Sequence, residues 1–317
     1  MKITTQSQVF ALIILSVIEV SISWLNDDSD SVPVCEINDT YVDCRNKNLT
    51  EVPKLPNLPE TVTHLDFSFN NIRTVSLIDV PFPLSIVDIS FSHNIIDTVV
   101  NGVFGNTTNL LHLDLSYNKI KGSVLHTEPF YLDISQLRKL NLRGNDLETI
   151  DDETFSPFGI SNIEYLDISH CSLKSLGYSI HNLGSLSFLN LSYNLLTKFE
   201  DSLTGDINLE TLDISFNKII TVKKVPAVLS LKYLYLDYNE LEAARDNAFQ
   251  SLLGLKVLSL VGNNLKTLHP HTLPLDSLFI ELQEIRLDKN PWRCDCNMKW
   301  LLKDVTDVSG FRNFTLK

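Results

Sequence analysis

Apolar positions along this chain return in one nine-residue phrase: apolar, two variable, apolar, variable, apolar, two variable, then Asn or Cys. It reads VTHLDFSFN ending at Asn70, IVDISFSHN at Asn94, LLHLDLSYN at Asn118 and LRKLNLRGN at Asn145. It continues as IEYLDISHC at Cys171, LSFLNLSYN at Asn194, LETLDISFN at Asn217, LKYLYLDYN at Asn239, LKVLSLVGN at Asn263 and LQEIRLDKN at Asn290. Successive copies end 22 to 27 residues apart. Leu140 and Leu142 show the central pair: two residues apart on a short strand, both side chains leave the same face. A single copy cannot bury that face alone, so neighbours must stack into one continuous core. Stacked strands pair in parallel at roughly 4.8 Å, and ten of them predict a sheet on the order of 45 Å long.

The ten phrases resemble the leucine-rich repeat, and the resemblance covers essentially everything after the first 23 residues. It implies an α/β solenoid of right-handed coils: a horseshoe with a parallel β-sheet on its concave face and short irregular or helical turns outside. It also implies that each terminal Asn amide satisfies backbone groups where the chain turns inward, the stacked copies forming a ladder. Each such bond is worth about 1 kcal/mol net, and leaving its partners unmade costs more. Cys171 holds the ladder position in the fifth phrase, where the family pattern accepts Asn or Cys. A buried structural thiol is expected there in preference to a reactive one. Phe104, Phe155 and Phe249 stand in similar contexts several residues before the next phrase and read as a packing spine on the convex side.

The ends divide the chain into four. Residues 1–23 read as a secretory signal: Lys2, an apolar core over Val9–Val20, then Ser21 and Ser23 just before Trp24. No later stretch approaches the ~20 apolar residues of a membrane helix, so the mature chain is expected to be soluble as written. Residues 24–60 combine an acidic leader with a cap. Asn26–Ser31 could mimic a calcium loop but lacks its Gly and closing Glu, and a disordered leader is expected. The run from Cys35 to Pro56 resembles the cysteine-bearing cap of extracellular leucine-rich-repeat proteins, with two cysteines as in many Toll-like receptors. That resemblance implies a Cys35–Cys44 disulfide closing a short hairpin. Residues 61–290 carry the ten repeats. Residues 291–317 open like the family's C-terminal cap (NPWRCDCNMKWLL from Asn290), yet the two later cysteines that bond Cys294 and Cys296 are missing from the sequence. Two unpaired thiols would be hazardous in an oxidising compartment, so the native chain is expected to continue. The alternative is a short protein whose Cys294 and Cys296 are free, metal-bound or joined to a partner chain.

The formal charge of −13 argues against nucleic-acid partners, which need a basic surface, and suits a basic partner. No phosphate loop, nucleophile elbow or His-Glu-x-x-His motif is present. His64 and His112 fall two coils apart, too far to share a metal, and His269 and His271 lack a third ligand. The expected class is therefore a binding protein without enzymatic activity, cofactor or metal.

Variable positions of each phrase are expected to face outward on the concave sheet. The fifth reads Asp66, Ser90, Asp114, Asn141, Asp167, Asn190, Asp213, Tyr235, Ser259 and Arg286, and the eighth runs from Phe69 to Lys289 with many rings. Acid beside aromatic suits a basic protein segment, though Leu-Asp-Leu-Ser-Tyr-Asn is also close to the family's common form. The less consensus-like group is Tyr165, Phe188 and Tyr233 at the third position, beside Tyr235 and Tyr238 and the carboxylates Asp167 and Asp213. It is the candidate site for a protein ligand or co-receptor. Sequons for N-linked glycans stand at Asn38, Asn48, Asn106, Asn190 and Asn313, and a glycan on Asn190 would obstruct that patch. The resulting expectation is the ligand-binding ectodomain of a receptor-like protein, secreted or on the outer side of the plasma membrane. A membrane connection would come only through a segment absent from this chain. The alternatives are a cell-adhesion or guidance protein and a soluble secreted binder.

Overall fold

The structure, a computed structural model, describes residues 35–55, 58–76, 84–100, 102–104, 107–127, 134–152, 154–155, 162–205, 207–273, 282–293 and 313–315. The signal segment, the leader to residue 34, Asn106, Cys294 and Cys296 lie outside the described residues, as does the side chain of Asn313.

Each of the ten phrases places its third to fifth residues in a strand, from His64–Asp66 in coil one to Glu284–Arg286 in coil ten. These strands follow one another in parallel in a single sheet of thirteen strands. The register is that of the repeat: Leu113 pairs with Leu140, Leu140 with Leu166 and Leu166 with Leu189. The first, fourth and sixth residues of the phrases are buried, so one apolar core runs the length of the stack. Outside it the chain makes turns, with one short helix over Gly122–Thr127 and two 3-10 turns among the described residues. Phe104, Phe155 and Phe249 are fully buried, as a packing spine requires.

The ladder is built as expected. Asn94 Nδ2 donates to Phe67 O at 2.9 Å and Phe91 O at 3.0 Å, while its Oδ1 accepts the Ile72 amide at 3.0 Å. One side chain thus ties two coils through backbone groups that the sheet cannot reach, and the pattern recurs down to Asn290. Cys171 is buried and free of any disulfide. Its Sγ donates to Leu142 O and Ser169 O, both at 3.3 Å. Burial pushes the thiol up to about 12, which keeps it protonated and unreactive.

At the N-terminal end Cys35 and Cys44 are disulfide-bonded, closing an antiparallel hairpin of Glu36–Ile37 and Tyr41–Asp43. The second strand pairs in parallel with coil one, so the cap counterfeits a repeat and covers the core's first edge. At the other end Trp292 packs on the core and donates from Nε1 to Leu287 O at 2.9 Å.

Candidate binding face

The eighth position departs from the expected placement. All ten residues, Phe69, His93, Tyr117, Gly144, His170, Tyr193, Phe216, Tyr238, Gly262 and Lys289, have φ between +51° and +70°. They lie in a left-handed turn beyond the strand, off the sheet face. Tyr238 is therefore not a neighbour of Tyr233 and Tyr235 along the strand but a member of a row on the adjoining edge. Left-handed backbone costs roughly 1–2 kcal/mol for a residue with a Cβ. Two contacts offset it: the residue's amide bonds the next coil, as Phe69 N does to Ser92 O at 3.0 Å, and its ring stacks on its neighbours. The rings form two runs. Phe69, His93 and Tyr117 stack at 4.4 Å between centroids, and His170, Tyr193, Phe216 and Tyr238 stack at 4.1 to 4.6 Å.

Each run ends at a glycine. A Cβ on Gly144 would come within 2.7 Å of the Tyr117 ring, and one on Gly262 within 2.6 Å of the Tyr238 ring. The vacated space admits a cation in both cases. Arg143 lies over Tyr117 and donates from Nε to its hydroxyl at 2.7 Å. Lys289 reaches back over Gly262 to Tyr238, donating to its hydroxyl at 2.6 Å.

On the sheet itself, Tyr165 and Phe188 stack at 4.6 Å with rings nearly parallel, half-buried in adjacent strands. Tyr233 stands two strands beyond Phe188, with Thr211 on the strand between them. Tyr235 lies two residues along the same strand as Tyr233, on the same face, beside Asp213. The predicted group is thus two subclusters on one face. Lys139 Nζ sits 4.8 Å above the Tyr165 ring. The Tyr165 hydroxyl is pushed up to about 12, by burial first and then by the Asp167 charge, so it remains a donor at any ordinary pH.

Asp167 does not offer its carboxylate to a partner. It is buried, Oδ1 accepts from Ser169 N at 2.9 Å, and Oδ2 accepts from Asn190 Nδ2 at 3.0 Å and Tyr165 at 3.4 Å. The amide of Asn190 is itself held at both ends, its Oδ1 accepting Ser192 N at 3.0 Å. Asn38 and Asn48 are exposed on the N-terminal cap, away from the patch. The fifth-position acids share one local duty. Asp66, Asp114, Asp167 and Asp213 each accept the backbone amide two residues on at 2.8 to 2.9 Å, an Asx turn that closes the strand.

Two shallow depressions open on this surface. One, of about 190 Å³, is lined by Asp88, His112, Asp114, Lys139, Asn141 and Tyr165. The other, of about 250 Å³, is lined by Tyr193, Asp213, Phe216, Tyr235, Asp237 and Tyr238, with Ser192 and Ser215. Asp237 was not legible as a site residue. It replaces the serine common at the seventh position, and its Oδ1 accepts from Ser259 Oγ at 2.5 Å and Val261 N at 2.8 Å. Burial raises its pKa, with the Asp213 charge adding to the shift. Among the described residues, no group of three or more His, Cys, Asp or Glu could hold a metal ion. No helix among them is long and apolar enough to cross a membrane.

Comparison with known proteins agrees with this architecture. A family model described as leucine rich repeat matches residues 135–196 and 230–291. A second of the same description matches 59–78, 106–123 and 206–222, and the two together cover more than half of the chain. The chain belongs to the leucine-rich-repeat family. It is 32% identical over 228 residues to Tsukushi of Gallus gallus, a match covering 68% of this chain and 58% of that protein. It is 27% identical over 203 residues to adenylate cyclase of Schizosaccharomyces pombe, covering 63% of this chain but 12% of the cyclase. A solved octameric complex of Latrophilin 3, Unc5D and FLRT2 (LRR) contains a chain similar in fold. Its TM-score is 0.63 at 22% identity, with 89% of this chain and 91% of that chain covered.

Proposed function

We propose that this leucine-rich-repeat chain is an extracellular recognition module, the ligand-binding part of a receptor-like protein, which holds a protein partner on the sheet face of coils five to eight. One observation carries the reading. Tyr165, Phe188, Tyr233 and Tyr235 project from strands whose core is already complete beneath them, so packing does not require rings at these positions. Rings of this kind supply much of the binding energy at protein interfaces. The Cys35–Cys44 disulfide supports an oxidising compartment. The fold's appearance in an assembly with Latrophilin 3 and Unc5D supports a role in protein recognition.

The test is to screen the secreted chain against an array of purified extracellular proteins and then compare each hit with the Tyr233→Ala/Tyr235→Ala variant. Loss of two such anchors is expected to cost about 2 kcal/mol or more, roughly 30-fold in affinity, with secretion unchanged. Hits whose affinity the variant leaves intact would overturn the reading.

A further inference from the structure

The larger depression differs from the rest of the face in one chemical respect. Upstream, the sheet's carboxylates have both oxygens engaged or are paired with a base. Asp66 Oδ2 accepts from the Tyr41 hydroxyl at 2.9 Å, and Asp88 Oδ2 meets His112 Nδ1 at 3.0 Å. Asp114 Oδ2 accepts from Asn141 at 3.1 Å, and Asp167 Oδ2 from Asn190 and Tyr165. Asp213 and Asp237 break this pattern. Among the described residues each uses only Oδ1, for Ser215 N in one case and for Ser259 Oγ and Val261 N in the other. Neither forms an ion pair among the described residues. The nearby cation Arg286 is turned to Glu284, which it holds through two nitrogens at 2.7 and 3.1 Å.

The walls of the depression are rings, and this surface shows three times what such rings attract. Lys139 lies over Tyr165, Arg143 over Tyr117 and Lys289 over Tyr238. In each case the chain supplies the cation itself. Around the depression it supplies Tyr193, Phe216 and Tyr238, whose faces are stacked on one another and, at Tyr238, on Lys289, together with Tyr235 and two open carboxylate oxygens; no cation is among the lining residues. At about 250 Å³ the space falls below the ~300–1,000 Å³ of small-molecule pockets, a size for one side chain of a larger partner. A planar guanidinium matches it better than an ammonium, since it donates to two carboxylates at once and lies flat against Tyr235, the lining ring outside the stacked row. The net charge of −13 would draw a basic segment to it.

We infer that the depression between Tyr193 and Tyr238 is an arginine-binding pocket, in which Asp213 and Asp237 receive the guanidinium of a basic segment of the protein partner. The inference deepens the function proposed above by naming the partner's anchor. The aromatic patch on the strands supplies contact area, and the pocket selects charge.

The experiment uses N-acetyl-arginine-N-methylamide as the probe, titrated into the full chain and followed by saturation-transfer NMR, with the neutral citrulline analogue alongside. Saturable binding of the arginine compound is expected, at least tenfold tighter than the analogue. The Asp213→Asn/Asp237→Asn variant should lose that margin, while Asp66→Asn should retain it. Equal binding of the two compounds, no saturable binding, or an unchanged margin in the double variant would each overturn the pocket. The comparison of the two compounds on the unaltered chain needs no variant to fold. Both carboxamides leave every ring in place, so a partner from the array that is lost on Tyr233→Ala/Tyr235→Ala but kept on Asp213→Asn/Asp237→Asn would refute the pocket and leave the recognition reading standing. Arginine binding without any effect of the tyrosines on a partner would do the reverse.

Discussion

Coils one to four and coils five to eight are written in the same repeat grammar yet present different surfaces. In the first region the third positions are His64, Asp88, His112 and Lys139, and three of them meet partners within the face, His112 and Asp88 each other and Lys139 the ring of Tyr165. In the second they are Tyr165, Phe188, Thr211 and Tyr233, half-buried and with little left to neutralise. Both regions run a row of stacked rings along the adjoining edge, and both close it with a glycine and a cation. The core and ladder therefore leave the outward positions free, and it is there that the two halves diverge. Fold is set by the first, fourth, sixth and ninth residues of each phrase; the third, fifth, seventh and eighth set the chemistry of the surface.

The strongest stability test of the shared part is at the glycines that end the ring rows. Gly262→Ala puts a methyl 2.6 Å from the Tyr238 ring at φ +68°, displacing the ring and its contact with Lys289. A loss of roughly 1–2 kcal/mol is expected from left-handed strain and the disturbed stack. Gly144→Ala should behave alike, because Tyr117 and Arg143 repeat the arrangement. Urea unfolding of the two variants checks this. A loss at one glycine and none at the other would break the equivalence of the two edges.

The second test lies at the first coil of the second region. Cys171 keeps the donor contacts of the ladder but has no oxygen to accept the amide that Asn would take from coil four. Asn145, one coil earlier, accepts the Ile120 amide at 2.9 Å. Cys171→Asn is therefore expected to stabilise the chain by about 1 kcal/mol, the net worth of one buried hydrogen bond. A pH dependence goes with it. Burial raises the thiol from its ordinary 9.0 to about 12, so the fold favours the protonated form. That contribution is whole below pH 9 and is lost as pH climbs toward 12, because the unfolded chain releases the proton first. Unfolding midpoints should fall more steeply across that window in the unaltered chain than in Cys171→Asn. Parallel curves would show that the thiol is not the sealed group its contacts describe.

How much of this could be read beforehand follows from the range of each interaction. The strands, the ladder and the core depend on spacing within one phrase, and ten copies made them plain. The left-handed eighth position was hidden, because Phe, His, Tyr and Lys occupy it as readily as Gly. Gly144 and Gly262, falling in a column otherwise made mostly of rings, were the available signal. The state of each carboxylate depends on which residue the next coil places beside it. Asp167 resembles Asp213 in its own phrase, LDIS in both, but Asn190 follows the first and Tyr235 the second. An Asn amide closes one carboxylate and a Tyr leaves the other open. Asp237 signalled itself only by replacing the serine usual at its column.

The smallest expected effect separates the two regions most sharply. Asp237→Asn retains an Oδ1 to accept from Ser259 and Val261, and it removes a charge that burial and Asp213 both disfavour. Because its pKa in the folded chain is raised, the protonated acid is the favoured form. The penalty on the ionised group is absent at low pH and sets in as pH rises through the folded value. At neutral pH the carboxamide should therefore be slightly more stable, by roughly half a kcal/mol or less once solvent screening is allowed for, and the gain should vanish near pH 3. Asp66→Asn in the first region should instead lower stability at neutral pH. There the carboxylate receives the Tyr41 hydroxyl at 2.9 Å and faces Arg45 at 3.6 Å, contacts that a carboxamide weakens. Thermal unfolding of both variants at pH 7 reads the two signs, and repeating it at pH 3 for Asp237→Asn reads the loss of its gain. A gain at Asp237 beside a loss at Asp66 would mean that the second region keeps a carboxylate which stability alone does not favour, the mark of a residue held for what it binds. Losses at both would make Asp237 one more structural acid of the repeat and remove the distinction between the two halves of the face.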